Sequence, residues 1–274
     1  LTIGSANVGE VIENPIVKAV TLTGSTPAGK AVAQKAACVL KKTVLELGGS
    51  DPYVILKDAD LNQAVDACVT GRLLNSGQSC IAAKRFIVDE SIRSEFESKI
   101  VQAMEKEMVG DPFSESSTVG PMVNHGAKDE LARQVEDSLN GGAQLLYRSE
   151  IPNTDQGAYH PVIVLTDVIP GIPAFDEELF GPVASIISAK DEDDALALAN
   201  QTPFGLGAAI FTTEIEKGRK IAETKLEAGA GFVNDFVRSD PRLPFGGVKE
   251  SGYGNELSPY GILEFVNIKT IYIR

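Results

Sequence analysis

Short apolar runs alternate with amphipathic stretches along most of the chain. The apolar runs are rich in β-branched residues and end at turn residues, so they predict buried strands. The predicted strands lie at residues 17–22, 42–47, 53–56, 85–88, 144–147, 162–165, 183–187, 207–211 and 265–273. Helices are predicted between them, at residues 8–13, 26–40, 60–74, 91–108, 124–139 and 214–226, and after Asp191. This alternation favours an α/β fold with a largely parallel sheet covered on both faces.

Local signals support several of these helices. Asp60, Asn124 and Asp191 each precede a helical stretch and can cap it by accepting a hydrogen bond from its first turn. Within residues 91–108 the apolar side chains recur at every fourth position, which indicates one packing face. Those side chains are Ile92, Phe96, Ile100, Met104 and Met108.

Composition excludes several classes of partner. The 274 residues carry a net charge of −13, which argues against nucleic acid or an anionic membrane as a partner. No apolar run reaches the roughly 18 residues of a membrane-spanning helix. Three irregularly spaced cysteines predict a reducing compartment, the cytoplasm, and with two histidines we expect no metal site. The chain opens on Leu1 without a signal peptide, which suggests a piece of a longer protein.

Candidate chemistry centres on Cys80 and Glu46. Cys80 lies in a small polar run between an apolar helix and a strand, where backbone N–H groups can converge on the group that the thiol attacks. A cysteine alone in a loop is more often structural. Glu46, however, is flanked by leucines and followed by two glycines, a setting that raises a carboxyl pKa and suits a general base. Together they favour a thiolate nucleophile and its base.

The other cysteines and the histidines have simpler interpretations. Cys38 and Cys68 fall within predicted helices and are expected in the core. His125 and His160 are the only histidines, and either could serve as the base of a cysteine hydrolase. Nothing near them in the sequence supports that role, so we expect surface histidines.

Gly24 and Ser25 lie between a predicted strand and a predicted helix. A glycine-rich turn that leads into a helix N-terminus can hold a phosphate, because free N–H groups and the helix dipole attract an anion. The spacing differs from Gly-x-Gly-x-x-Gly. A tight turn without a ligand is the alternative.

Four separated motifs carry a resemblance to a known family. They are Glu46-Leu47-Gly48-Gly49, Gly77-Gln78-Ser79-Cys80, residues 177–182 (EELFGP) and residues 244–252 (PFGGVKESG). The residues of these motifs and the order of the motifs along the chain resemble those of the aldehyde dehydrogenase superfamily over essentially the whole chain. Residues 242–245 and 264–269 are most similar to its succinate-semialdehyde dehydrogenases.

The resemblance implies a fold and a domain organisation. Residues 1–48 would be the second half of a Rossmann-type dinucleotide-binding domain, and residues 49–250 an α/β catalytic domain. Residues 251–274 would be a return segment and an oligomerisation strand, which implies a homodimer or homotetramer. The first strands of the cofactor domain, the family's oxyanion-hole asparagine and its ribose-binding lysine would lie upstream of Leu1. NAD and NADP therefore cannot be distinguished.

The resemblance also implies the reaction, the NAD(P)-dependent oxidation of an aldehyde to a carboxylate. Cys80 would form a thiohemiacetal and then a thioester, and Glu46 would activate the water that releases the acid. Relatives that transfer the acyl group to coenzyme A lack this glutamate. Residues implied to hold the cofactor are Gly24 and Ser25 at the pyrophosphate, Leu47, Glu178 at the nicotinamide ribose, and Phe180 in the same pocket.

Arg238, Arg242 and Phe245 are candidate substrate residues, since they border the substrate entrance in the family. A guanidinium there could bind the distal carboxylate of succinate semialdehyde. Surface arginines that balance Asp240 are the alternative. The carboxylate-binding arginine of some relatives is replaced by Leu74, and Arg72 is displaced from that position.

Two other functions stay open. The chain can be a non-catalytic remnant, an oligomerising domain that keeps the motifs without turnover. A cysteine hydrolase would need a histidine near Cys80 and no nicotinamide.

Overall fold

The computed structural model describes residues 3–154 and 156–274. The helices are α1 Val8–Glu13, α2 Thr26–Cys38, α3 Leu61–Leu73, α4 Arg93–Met104, α5 His125–Asn140, α6 Pro173–Asp176, α7 Glu192–Asn200, α8 Ile215–Thr224 and α9 Ser258–Glu264. The strands are β1 Ala19–Thr23, β2 Lys42–Glu46, β3 Asp51–Ile55, β4 Ala83–Asp89, β5 Gln144–Arg148, β6 Ile163–Thr166, β7 Val183–Ala189, β8 Phe204–Gly205, β9 Gly207–Phe211, β10 Ala230–Val233, β11 Val248–Lys249 and β12 Gly252–Tyr253.

The chain divides into two compact units. The first consists of the described residues up to Gly48 together with Ser239–Arg274, and the second is Gly49–Arg238. In the first unit β1 pairs in parallel with β2, and β12 pairs antiparallel with β2. The register places Glu46, the last residue of β2, opposite both Thr23 and Gly252.

The second unit is built on a seven-stranded sheet in the order β10-β9-β3-β4-β7-β6-β5. Neighbouring strands are parallel except β5, which is antiparallel to β6. Strands β3, β4 and β9 are buried along their whole length. Successive side chains of a strand point to opposite faces, so Tyr53 packs with α3 and α4 while Val54 packs with α5 and α7. This confirms the predicted α/β class.

The predicted caps and most predicted elements are confirmed. Asp60 accepts hydrogen bonds from the N–H groups of Asn62 and Gln63, Asn124 from Ala127, and Asp191 from Asp194. The apolar stripe of α4 is buried from Phe96 to Met104.

One local prediction was wrong, one strand was not predicted, and one predicted strand does not form within the described chain. Met108 is 56% exposed because α4 ends at Met104. Strand β10 was not predicted, since its Ala-Gly-Phe-Val sequence has too few β-branched residues. The predicted strand at residues 265–273 is not a strand in the described structure, where residues 267–274 are irregular and exposed. A strand requires a hydrogen-bonded neighbour, and this segment has no strand partner among the described residues.

Candidate active site

Glu46 is a buried carboxylate at the end of β2. It is 2% exposed, and among the described residues neither carboxylate oxygen has a hydrogen-bond partner. Burial, with a smaller contribution from the charge of Glu256, raises the pKa of Glu46 to about 7. A carboxylate with this pKa can accept a proton at neutral pH, as a general base must.

The return segment of the first unit holds the backbone around Glu46. The Leu47 N–H donates to the Ser251 carbonyl at 3.0 Å, and the Ser251 hydroxyl donates to the Gly48 carbonyl at 2.6 Å. Gly252 has φ +114°, and a Cβ there would lie 1.9 Å from the Leu45 carbonyl oxygen. Only glycine fits this position, so the Ser-Gly pair of the fourth motif supports the first motif.

Gly24 and Ser25 connect β1 to α2 on the exposed surface of the first unit. The Ser25 hydroxyl accepts a hydrogen bond from the Ala28 N–H at 3.4 Å, and the Gly24 N–H donates to the Glu46 carbonyl at 2.9 Å. Leu47 is buried against α2, where a Cβ on Gly29 would lie 2.5 Å from its methyl groups. The exposed N-terminus of a 13-residue helix is therefore fixed next to the Glu46 backbone, and its donors suit a pyrophosphate.

Cys80 lies in the second unit in a segment that we call the Cys80 loop, residues 74–82. Asn75 and Ser76 have φ +54° and +56°, left-handed values that are strained for residues other than glycine. Their side chains bind the surrounding backbone and hold this conformation. The Asn75 amide donates to the Gln78 carbonyl at 2.9 Å, and the Ser76 hydroxyl donates to the Gly120 carbonyl at 3.1 Å.

Two buried cations bind carbonyl groups of the Cys80 loop. The Lys84 ammonium lies 3.1 Å from the Ser79 oxygen, 3.0 Å from the Cys80 oxygen and 3.2 Å from the Ala82 oxygen. Arg72 donates to the Gly77 carbonyl at 2.7 Å, while its Nε and Nη1 have no partner among the described residues. Cys80 itself is half-buried.

Glu178 lies beside the Cys80 loop. Its Oε1 accepts a hydrogen bond from the Gly49 N–H at 2.9 Å and lies 3.6 Å from the Lys84 ammonium. The Glu178 side chain is 23% exposed and the nearby Phe180 is 40% exposed. A partly exposed carboxylate and an accessible ring fit a ribose hydroxyl and an aromatic cofactor ring, so Glu178 and Phe180 would hold the nicotinamide end.

The substrate candidates are exposed or already paired. Arg242 is in the first unit, and its Nη2 lies 2.6 Å from Oδ2 of Asp240. Arg238 is in the second unit, pairs with Asp235 at 2.7 Å and lies over the Phe236 ring. Phe245 is half-buried and its backbone pairs with Glu256. Arg242 therefore balances Asp240, as the alternative interpretation expects, whereas Arg238 pairs with a different carboxylate.

One histidine and one of the other cysteines lie in a different environment from the one predicted. His160 is buried, not on the surface: its Nδ1 lies 2.8 Å from the Pro161 carbonyl, and burial lowers its pKa to about 4. Its contact with the Pro161 carbonyl and its lowered pKa disfavour His160 as the base of a cysteine hydrolase. Cys68 is buried as expected, but Cys38 is exposed, so its assignment to the core was wrong. Cys38 is the last residue of α2 and falls outside the face of that helix that is buried at Ala36.

Lys84 and Asp51 were not predicted as site residues, and Arg72 was named only as displaced from the position of a carboxylate-binding arginine. All three are at most 1% exposed, and burial raises the pKa of Asp51 to about 6. A signal existed in the sequence, because Lys84 and Arg85 directly precede the apolar run of residues 86–88. Charged residues are rarely buried unless paired, so their position in a buried strand predicts an internal role.

Among the described residues no helix is long and apolar enough to cross a membrane. The same part of the chain has no cluster of histidine, cysteine and carboxylate side chains that could hold a metal ion.

Comparison with known proteins identifies similar sequences and structures. The Aldehyde dehydrogenase family profile matches residues 1–271. The chain is 49% identical over 265 residues to "Succinate semialdehyde dehydrogenase [NAD(P)+] Sad" of Escherichia coli K12, covering 97% of the chain and 57% of that protein. It is 46% identical to a "Probable succinate-semialdehyde dehydrogenase [NADP(+)]" of Synechocystis, covering 100% of the chain and 60% of that protein.

A solved structure shows the same architecture. The succinic semialdehyde dehydrogenase of Streptococcus pyogenes in complex with NADP+ superposes with a TM-score of 0.95 at 37% identity, covering 99% of the chain and 59% of that structure. The chain thus spans somewhat more than half the length of the relatives it matches.

Proposed function

Because the chain belongs to the aldehyde dehydrogenase family, we propose that it supplies the nucleophile and the base of an NAD(P)-dependent enzyme that oxidises succinate semialdehyde to succinate. The observation that carries this proposal is the state of Glu46, a buried carboxylate with unpartnered oxygens and a pKa of about 7. A carboxylate in this state is poised to deprotonate water, which is the task of the base in thioester hydrolysis.

The first step is attack of the Cys80 thiolate on the aldehyde carbon, which forms a C–S bond and leaves an oxyanion. The Cys80 backbone N–H can donate a hydrogen bond to that oxyanion. A bound nicotinamide cofactor supplies the acceptor for the hydride that leaves this carbon. The acyl group is then held on Cys80 as a thioester.

The second step is hydrolysis of the thioester. Glu46 takes a proton from water, the water oxygen attacks the thioester carbon, and the Cys80 thiolate leaves as the carboxylic acid forms. A base with an ordinary carboxyl pKa near 4.3 would bind this proton too weakly, so burial of Glu46 serves the reaction.

Two groups of residues are assigned to the cofactor. Gly24 and Ser25, with Leu47 behind them, would hold the pyrophosphate at the N-terminus of α2. Glu178 and Phe180 would hold the nicotinamide ribose and ring. Both NAD and NADP remain possible cofactors, in keeping with the relative whose name includes NAD(P)+. The division into domains 1–48, 49–250 and 251–274 and a cytoplasmic location stay predictions.

Self-association belongs to the same proposal. The last residues of the chain expose a row of apolar side chains: Ile268 is 96%, Ile271 76%, Tyr272 84% and Ile273 87% exposed. An unpaired apolar segment of this kind can complete a sheet in a second copy, which would make a homodimer or homotetramer.

The test compares the present chain with a chimera in which the upstream part of the Escherichia coli relative precedes Leu1. With succinate semialdehyde we expect NADH or NADPH formation by the chimera and at least about 10²-fold less by the present chain, because even one missing oxyanion donor has that effect. A folded chimera without turnover would instead favour the non-catalytic, oligomerising remnant. Equal rates would mean that the upstream part is not required.

A further inference from the structure

Lys84 is a fully buried lysine in direct contact with the Cys80 loop. It is the second residue of β4 and is 1% exposed. Its ammonium group has three donors, and three carbonyl oxygens lie within 3.2 Å of it, those of Ser79, Cys80 and Ala82. All three acceptors belong to the loop that carries the candidate nucleophile.

These contacts determine which way the N–H groups of the loop point. The described peptide bonds are all trans, and in a trans peptide the C=O and N–H bonds point to opposite sides. Because the Ser79 carbonyl is directed at Lys84, the Cys80 N–H is directed away from it. Because the Cys80 carbonyl is also directed at Lys84, the Ile81 N–H is directed away as well.

Gly49 confines the Cys80 carbonyl from another direction. A Cβ built on Gly49 would lie 2.4 Å from the Cys80 oxygen, so only glycine allows this approach. The Gly49 N–H in turn donates to Glu178, the carboxylate 3.6 Å from Lys84. The Cys80 carbonyl oxygen is therefore in contact with the Lys84 ammonium and closely approached by Gly49.

The charge of Lys84 also acts on Cys80. Four titratable groups face the ammonium: Cys80, Glu178 and Asp51 favour its charged form, and Arg72 disfavours it. Burial is the largest influence and lowers the pKa of Lys84. The interaction is reciprocal, so a cation that a Cys80 thiolate stabilises must also stabilise that thiolate.

We propose that Lys84 is the positioning residue of the nucleophile. It holds the carbonyl groups of Ser79 and Cys80 on one side of the loop, which keeps the Cys80 N–H directed to the other side, and its charge favours the thiolate. This inference rests on the proposed function, since it takes Cys80 as the nucleophile.

The test measures the rate of Cys80 alkylation by iodoacetamide as a function of pH, with peptide-resolved mass spectrometry. It uses the present chain with Cys38→Ser, because Cys38 is exposed and would also react. Lys84→Met keeps an unbranched apolar side chain but removes the ammonium group, with its charge and donors. We expect the midpoint of the profile to rise by about 1 pH unit, and the rate below both midpoints to fall about tenfold.

A second variant should move the midpoint of the alkylation profile in the opposite direction. Glu178→Gln keeps an acceptor for the Gly49 N–H but removes the negative charge near Lys84, so the midpoint should fall. This variant carries the test if Lys84→Met does not fold. Glu130→Gln is the matched control, because Glu130 is an exposed carboxylate paired with Arg133 on α5, and its midpoint should not move.

The outcomes separate this inference from the proposed function. If Cys80 in the starting protein reacts no faster than the buried Cys68, the nucleophile itself is wrongly assigned. If Cys80 reacts preferentially but the midpoint is unchanged in every folded variant at Lys84 and Glu178, Lys84 only fills a structural position and the inference is overturned.

Discussion

The polar groups of the Glu46 carboxylate and of the Cys80 loop are held in opposite ways. Glu46 is buried without a hydrogen bond to either oxygen, and its pKa rises to about 7. The Cys80 loop is surrounded by donors, and Lys84 and Arg72 bind four of its carbonyl groups. A base is strengthened where its charge lacks partners, whereas a thiolate is favoured where cations are near. The comparison shows two routes to a reactive group.

The largest expected effect is on turnover by the chimera. Cys80→Ser should reduce it at least about 10³-fold, because the nucleophile begins the reaction. Glu46→Gln should reduce it by about 10²–10⁴-fold, the usual contribution of a general base. The two variants should differ in what accumulates: intact mass should show an acyl group on the protein in Glu46→Gln and none in Cys80→Ser. An unacylated Glu46→Gln protein would show that Glu46 does not serve hydrolysis.

The next effect is on stability. The folded-state pKa of Glu46 lies above its unfolded value, so the folded protein binds the proton more tightly, and stability falls as the pH rises from about 4.5 to about 7. Glu46→Gln removes that penalty and should raise the free energy of unfolding by up to about 3 kcal/mol at about pH 8. Below about pH 4 the difference should vanish.

Denaturant unfolding at several pH values measures the effect of Glu46→Gln. Glu250→Gln is the control, because Glu250 is an exposed carboxylate in an ion pair with Lys30 and should give no stabilisation. Equal stability of Glu46→Gln and the unsubstituted chain at the alkaline end would mean that Glu46 is solvated.

A stability effect of similar size tests the backbone that supports Glu46. The backbone at Gly252 has a left-handed φ of +114°, and the Leu45 carbonyl occupies the space that a Cβ would need. Gly252→Ala should therefore lower the free energy of unfolding by about 3 kcal/mol or more. Gly142 has a φ of +111° with no atom within 4 Å, so Gly142→Ala isolates the backbone strain. It should lower the free energy of unfolding by about 1 kcal/mol. Similar decreases in the free energy of unfolding for Gly252→Ala and Gly142→Ala would show that the chain relieves the contact with the Leu45 carbonyl at little cost in stability.

The smallest effect concerns the substrate. Arg242 is 85% exposed at its side chain and already paired with Asp240. If it binds the distal carboxylate, Arg242→Ala in the chimera should lower kcat/KM for succinate semialdehyde relative to butanal by about fivefold, the limit for an exposed ion pair. Arg219→Ala, which removes an exposed arginine paired within α8, is the control. An unchanged preference would remove Arg242 from the substrate site.

Local chemistry in the sequence determined much of this protein. The apolar runs predicted most strands of the two larger sheets. The residues before three helices predicted their caps, because burial patterns and capping act over a few neighbouring residues. The motifs around Cys80 and Glu46 predicted the family, and Leu45 and Leu47 predicted a buried carboxylate. These inferences required no long-range contact.

Only the tertiary structure decided how the motifs are held. Gly49 and Gly252 are glycines because carbonyl groups distant in sequence approach them. The position of Lys84 in β4 does not by itself show that its ammonium binds the carbonyl groups of the Cys80 loop. Cys38 was expected in the core and is exposed, and residues 265–273 have strand composition without a strand, because burial and pairing depend on the surfaces available to pack against. A sequence pattern states which residues can be buried, and the packed chain determines the partner that each of them has.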